Sequence, residues 1–100
     1  MNSTLINKDP EYLKFQEEFC NNIKKELPFV SNIERCIELA EEVICFDTEL
    51  CAKILKKASW FINENCDSKY ILKILDFAMK IEEPLIFFTA QEKLLTKENS

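Results

Sequence analysis

The sequence predicts an all-α domain of about five helices, arranged as a short stack of helical hairpins. Three observations carry this reading. The chain has no glycine among its 100 residues; tight hairpin turns and left-handed caps draw on glycine, which argues against an all-β fold and for helices joined by Asn, Asp, Ser and Pro. From Ser68 to Glu83, the apolar residues Ile71, Leu72, Ile74, Leu75, Phe77, Ala78, Met79 and Ile81 cover about 220° of a helical wheel. An ordinary surface helix buries a stripe of about 100°, so this helix should be flanked on two sides and be the centre of the domain. Last, a shift of 35 residues lays Cys36, Ile37, Ala40, Val43, Ile44, Leu50 and Cys51 on Ile71, Leu72, Leu75, Ala78, Met79, Leu85 and Ile86. Phe15 and Phe19 likewise fall on Leu50 and Ile54. A period near 35 with two helices per unit is the pattern of stacked helical hairpins.

Residues 1–8 read as a flexible polar tail, 9–96 as a single domain and 97–100 as a frayed end; 100 residues are too few to divide into two folding units. Asp9-Pro10 opens the first helix, with Asp as cap and Pro at the first helical position. Tyr12, Phe15, Phe19, Ile23 and Leu27 follow at helical spacing, and Pro28 stops the helix. Ser31 with Glu34 reads as a capping box for a second helix reaching about Phe46. Asp47-Thr48 recaps the chain for a third helix, which turns Leu50, Cys51, Ile54, Leu55, Ala58, Phe61 and Ile62 inward and ends at Asn63-Glu64-Asn65. Asp67-Ser68 opens the central helix. Pro84 restarts the chain for a fifth, from Leu85 to about Thr96.

The run Glu18-Phe19-Cys20, Leu27-Pro28, Asn32, Cys36, Ala40, Leu50 and Phe61-Ile62-Asn63-Glu64-Asn65 resembles the helical end of a BTB domain running into a BACK domain, as in the cullin-3 adaptor (kelch-like) proteins. Cys66 stands where that family closes its motif with Phe. The resemblance implies a non-enzymatic helical adaptor or scaffold.

Composition narrows the chemistry. There is no histidine, so the usual general base near neutral pH is missing and no Ser-His-Asp or Cys-His arrangement can form within the chain. Without glycine there is no phosphate-cradling loop or dinucleotide fingerprint. Catalysis and a bound cofactor are therefore not expected. The net charge of −5, from 18 acidic and 13 basic residues, disfavours nucleic acid, which is bound through basic surface. No apolar run reaches the length of a membrane span, and Met1 to Pro10 does not resemble a signal peptide.

Five cysteines, an odd number, fit reduced thiols in a cytoplasmic or nuclear setting. No Cys-x-x-Cys occurs, which argues against zinc. The 35-residue repeat places Cys20, Cys36 and Cys51 on aliphatic core positions and leaves Cys45 and Cys66, aligned with Lys80 and Ser31, as the accessible thiols. Glu38, Glu41 and Glu42 make an acidic face on the second helix, and Lys53, Lys56 and Lys57 a basic one on the third. Antiparallel packing should pair Glu41 with Lys53 and Glu38 with Lys56; a docking patch for a charged partner is the other reading. Trp60 falls among these lysines, opposite the core stripe, and Leu85 to Phe88 points apolar groups in every direction. One of these two sites should be covered within the domain. The candidate interface is Trp60, Leu85, Phe87, Phe88, Leu94 and Leu95, used by a homodimer or a protein partner. The function read from the sequence is thus a protein–protein interaction module. Two other classes stay open: a compact helical-bundle effector or regulator of Bcl-2-like or death-fold type, of viral or bacterial origin, and an accessory subunit whose cofactor site a partner completes.

Overall fold

Five α-helices form at the places the periodicity marks. A computed structural model, which describes residues 10–63 and 65–99, contains α1 (Pro10–Glu26), a 3₁₀ turn (Leu27–Phe29), α2 (Ile33–Val43), α3 (Thr48–Trp60), α4 (Ser68–Lys80) and α5 (Pro84–Asn99), with no strand among the described residues. The predicted tail at 1–8 and the Asp9 cap lie outside these residues. α2 and α4 begin 35 residues apart and α3 and α5 begin 36 apart. α2 packs most closely on α3, and α4 on α5. The chain is therefore two hairpins, α2–α3 and α4–α5, with α1 leading in as a half unit. Its extents of 52 × 30 × 18 Å and radius of gyration of 15.3 Å make it more elongated than a spherical domain of this length, for which about 13 Å is typical.

The helix starts are built by side-chain caps. Asp47 accepts from the Leu50 N–H at 3.0 Å and Asp67 from the Lys69 N–H at 3.0 Å, each satisfying an amide that has no partner inside its helix. At α2 the cap is Asn32, whose Oδ1 accepts from the Arg35 N–H at 2.8 Å. The expected Ser31–Glu34 capping box is thus displaced by one residue; Asn is as good a cap as Ser, and this register sets Ile33, Cys36, Ile37 and Ala40 inward. α2 stops at Val43 and α3 at Trp60, two to three residues before the expected ends, whereas α5 runs on to Asn99.

Glycine's absence is felt at the α4–α5 turn. Glu82 sits at φ 57°, the left-handed region that costs an L-residue about 1–2 kcal/mol. The turn holds it there: the Glu83 N–H donates to Ala78 O at 2.9 Å and the Glu82 N–H to Met79 O at 3.2 Å, the paired bonds of a Schellman termination. Glu82→Gly is expected to raise stability by about 0.5–1 kcal/mol, the steric relief being partly offset by the looser unfolded chain. Chemical denaturation of the two proteins checks it.

The core runs through all three inner helices. Cys36, Leu39, Ala40 and Val43 of α2, Cys51, Ile54, Leu55 and Ala58 of α3, and Ile71, Ile74 and Ala78 of α4 have no solvent exposure. α4 touches α2, α3 and α5, as a central helix should, but its wide apolar arc is only half covered. Leu75 is half-buried and Leu72 and Met79 are exposed, contrary to the expectation of cover on two sides. α3, with six buried residues, is as deeply enclosed as α4.

α1 is held at its C-terminal end. Cys20 and Ile23 are its buried residues; Phe19 stacks against Phe15 at 6.1 Å and meets Phe46 edge-on at 5.8 Å. The Arg35 guanidinium forks onto Glu26, Nε to Oε2 at 2.6 Å and Nη2 to Oε1 at 2.9 Å, and this hydrogen-bonded pairing holds the Glu26 carboxyl below its usual pKa. The Lys57 ammonium donates to the Leu27 carbonyl, tying the 3₁₀ turn to α3.

Candidate interaction surface

The surface is built from the outward faces of α3, α4 and α5. On α5 two stripes separate at helical spacing. Ile86, Phe87, Ala90 and Leu94 face the core, with Phe87 and Leu94 half-buried against it. Leu85, Phe88 and Leu95 share the opposite stripe at i, i+3 and i+10 and are 79%, 62% and 53% exposed. Six candidate residues therefore divide into three that are free for contact on α5, two that belong partly to the core, and Trp60, which is 74% exposed. Of the two sites of which one was expected to be covered within the domain, the Phe87-Phe88 pair is covered in part, Phe87 packing half-buried against the core while Phe88 and Trp60 face solvent. The two rings at 87 and 88 meet edge-on, centroids 5.8 Å apart.

Two concave regions flank the α5 stripe. At the α4–α5 corner, Ala78, Met79, Pro84, Phe87 and Phe88 line a shallow apolar depression of about 520 Å³, rimmed by Glu82 and Glu83. Between α3 and α5 lies a groove of about 430 Å³ holding Trp60 and Leu85 together with Lys53, Lys56 and Lys93. Ser59 forms part of its lining and is satisfied, its hydroxyl donating to Lys56 O at 2.7 Å.

The expected pairing of the acidic and basic faces does not occur. Among the described residues the ion pairs are Arg35–Glu26, Arg35–Glu38 and Lys80–Asp76. Glu38 is taken by Arg35 on its own helix at 3.3 Å, Lys57 turns to Leu27 O, and Lys53 and Lys56 line the α3–α5 groove without an ion pair among the described residues.

The thiols sort in part differently from the repeat. Cys45 is exposed and Cys20, Cys36 and Cys51 are buried. Cys66, expected to be accessible, is buried. The loop after α3 turns on Asn63, whose Oδ1 accepts from the Asn65 N–H at 2.8 Å and whose carbonyl accepts from the Cys66 N–H at 3.0 Å, and this turn swings Cys66 inward. Burial pushes the Cys66 thiol pKa up, and pushes that of Cys51 up to about 11, with nearby Asp47 adding to the latter. Among the described residues no group of three or more Cys, Asp or Glu side chains is placed to hold a metal ion, and no helix is long and apolar enough to cross a membrane.

No protein-family model, curated protein or solved structure matches the chain. Cys36, Ala40 and Leu50, which carry much of the resemblance to BACK segments, are buried packing positions of a kind that any helical hairpin supplies.

Sequence reasoning missed Leu72 and Met79 as surface residues. Their repeat counterparts Ile37 and Ile44 are buried and half-buried in the first hairpin, whereas Leu72 and Met79 are exposed; the 35-residue repeat matches residue types and not their cover, so it held no signal for that difference.

Proposed function

We propose that this domain is a non-enzymatic protein–protein interaction module, a helical adaptor or scaffold of the general kind the BACK resemblance implies. One observation carries the reading. Positions buried in the first hairpin are exposed at their 35-residue equivalents in the second: Ile37 is buried and Leu72 exposed, and Leu50 is 2% exposed where Leu85 is 79% exposed. The second hairpin thus keeps the apolar faces of a repeat that expects a neighbour, and such arrays need a polar cap or a partner at their ends. Met79 and Phe88 share the apolar depression at the α4–α5 corner, and with Leu72 and Leu85 also exposed the second hairpin shows more apolar surface than scattered single residues, a feature that marks interaction sites.

Either a second copy or a different protein can fill that place. Phe88→Glu is expected to weaken the association by about 2 kcal/mol or more, the scale of a buried aromatic anchor, while leaving helix content and melting temperature unchanged because Phe88 makes little contact with the core. Sedimentation velocity and circular dichroism of wild type and variant read both effects. A variant that unfolds would place Phe88 in the core; a folded variant with undiminished association would remove the α5 stripe from the interface.

A further inference from the structure

The groove between α3 and α5 is basic in an acidic protein. Lys53, Lys56 and Trp60 lie on one face of α3, and Leu85, Thr89 and Lys93 on one face of α5, with Glu83 the one carboxylate in the lining. None of the three lysines has an ion-pair partner among the described residues, although the chain carries a net charge of −5. The groove continues along α5 into a second depression that shares Thr89 and Lys93, adds one residue of each charge in Glu92 and Lys97, and extends to Thr96, beside Ile62 and Asn63. From Leu85 to Thr96 this is about 17 Å at 1.5 Å per residue, room for about three turns of a docked helix.

We infer that this groove binds an acidic amphipathic helix of a partner protein, its apolar side chains against Trp60 and Leu85 and its carboxylates on Lys53, Lys56 and Lys93. The inference rests on the interaction reading above and names the chemistry of the partner. A neutral or basic segment laid over the groove would strip water from three ammonium groups and give them nothing in return, which is costly. Carboxylates restore the lost solvation, relieve the repulsion among the lysines and select the partner by charge. A long polyanion is disfavoured because it would also meet the acidic remainder of the surface, whereas a helix of a few turns stays within the groove. The apolar anchors with flanking charge are the usual form of helix-in-groove recognition.

Trp60 is the single tryptophan, so its fluorescence reports from the groove itself. The probe is a synthetic helical peptide of about four turns with Leu along one face and Glu beside it, compared with the same peptide carrying Gln or Lys for Glu. The Glu peptide is expected to shift Trp60 emission to the blue and to bind about tenfold or more tighter than the Gln peptide, with the preference shrinking as salt rises. In the triple variant Lys53→Glu, Lys56→Glu, Lys93→Glu the preference should pass to the Lys peptide, with circular dichroism unchanged; the milder Lys→Gln triple should lose it without reversal. Equal binding of Glu and Gln peptides overturns the inference, as does tighter binding of a single-stranded oligonucleotide. An emission shift driven by protein concentration alone would mean that a second copy fills the groove, and also overturns it. If no peptide binds while Phe88→Glu still disrupts association, the groove inference falls and the interaction module stands. If the Glu peptide binds as described and Phe88→Glu changes nothing, the groove stands and the α5 stripe falls.

Discussion

Ile54→Ala is expected to destabilise the domain by about 2–5 kcal/mol, the range for truncating a buried aliphatic side chain to Ala. Ile54 has no solvent exposure and lies on α3, the helix that touches α2, α4 and α5, so the cavity would open where both hairpins meet and neither could close it alone. Against a total stability of about 5–15 kcal/mol, the loss should be plain in the denaturation midpoint. Leu75→Ala is the internal comparison. Its half-buried side chain on α4 should cost clearly less, although the helical wheel alone would rank it as the more central of the two. Equal losses would mean that the uncovered face of α4 is in fact enclosed.

The thiols give the second large effect. In native protein Cys45 should react with a thiol reagent at the rate of an exposed cysteine, and Cys36 and Cys51, with no exposure, should wait for the domain to open. For a domain stable by even about 5 kcal/mol that protection is about 10³-fold or more. Cys66 should join the slow group despite its place in a loop. The pH dependence follows from the same burial. The folded-state pKa of Cys51 is about 11, raised from 9.0, so its neutral form contributes stability fully below pH 9 and that contribution is lost as pH rises from 9 toward 11. Mass spectrometry of timed labelling, at neutral and alkaline pH, reads each site separately. Fast modification of Cys51 or Cys66 in folded protein would contradict the packing described here.

Much of the fold was legible in the sequence, for identifiable reasons. Asp47 and Asp67 are cap residues followed directly by apolar periodicity, and Pro28 and Pro84 leave the chain little choice at the places they occupy. The 35-residue spacing of the hairpins survived because it is set by which residues are buried, and burial was encoded in Cys36, Ala40, Val43, Leu50 and Cys51 at regular positions. Ser31 against Asn32 was a choice between two good caps one residue apart, which residue type cannot settle. Cys66 was misplaced because its repeat partner Ser31 lies in a loop of different shape, and side-chain turns such as that of Asn63 leave no periodic trace. At the surface, the width of α4's apolar arc indicated that cover is wanted; it could not say that Leu72 and Met79 stay exposed. The Glu–Lys pairing failed for a reason of local geometry, Arg35 being one turn from Glu38 and closer to it than any lysine of α3.

Site-directed photo-crosslinking tests the interaction reading most directly. A photoreactive phenylalanine analogue is placed in turn at Trp60, Leu85 and Phe88, and at Glu42 on the exposed face of α2 as a control, and the protein is irradiated in its native cellular setting. The account predicts a discrete covalent adduct, to a second copy or to one partner, from the three surface positions and none from Glu42. Adducts of equal yield from all four positions, or none from Trp60, Leu85 and Phe88, would contradict it.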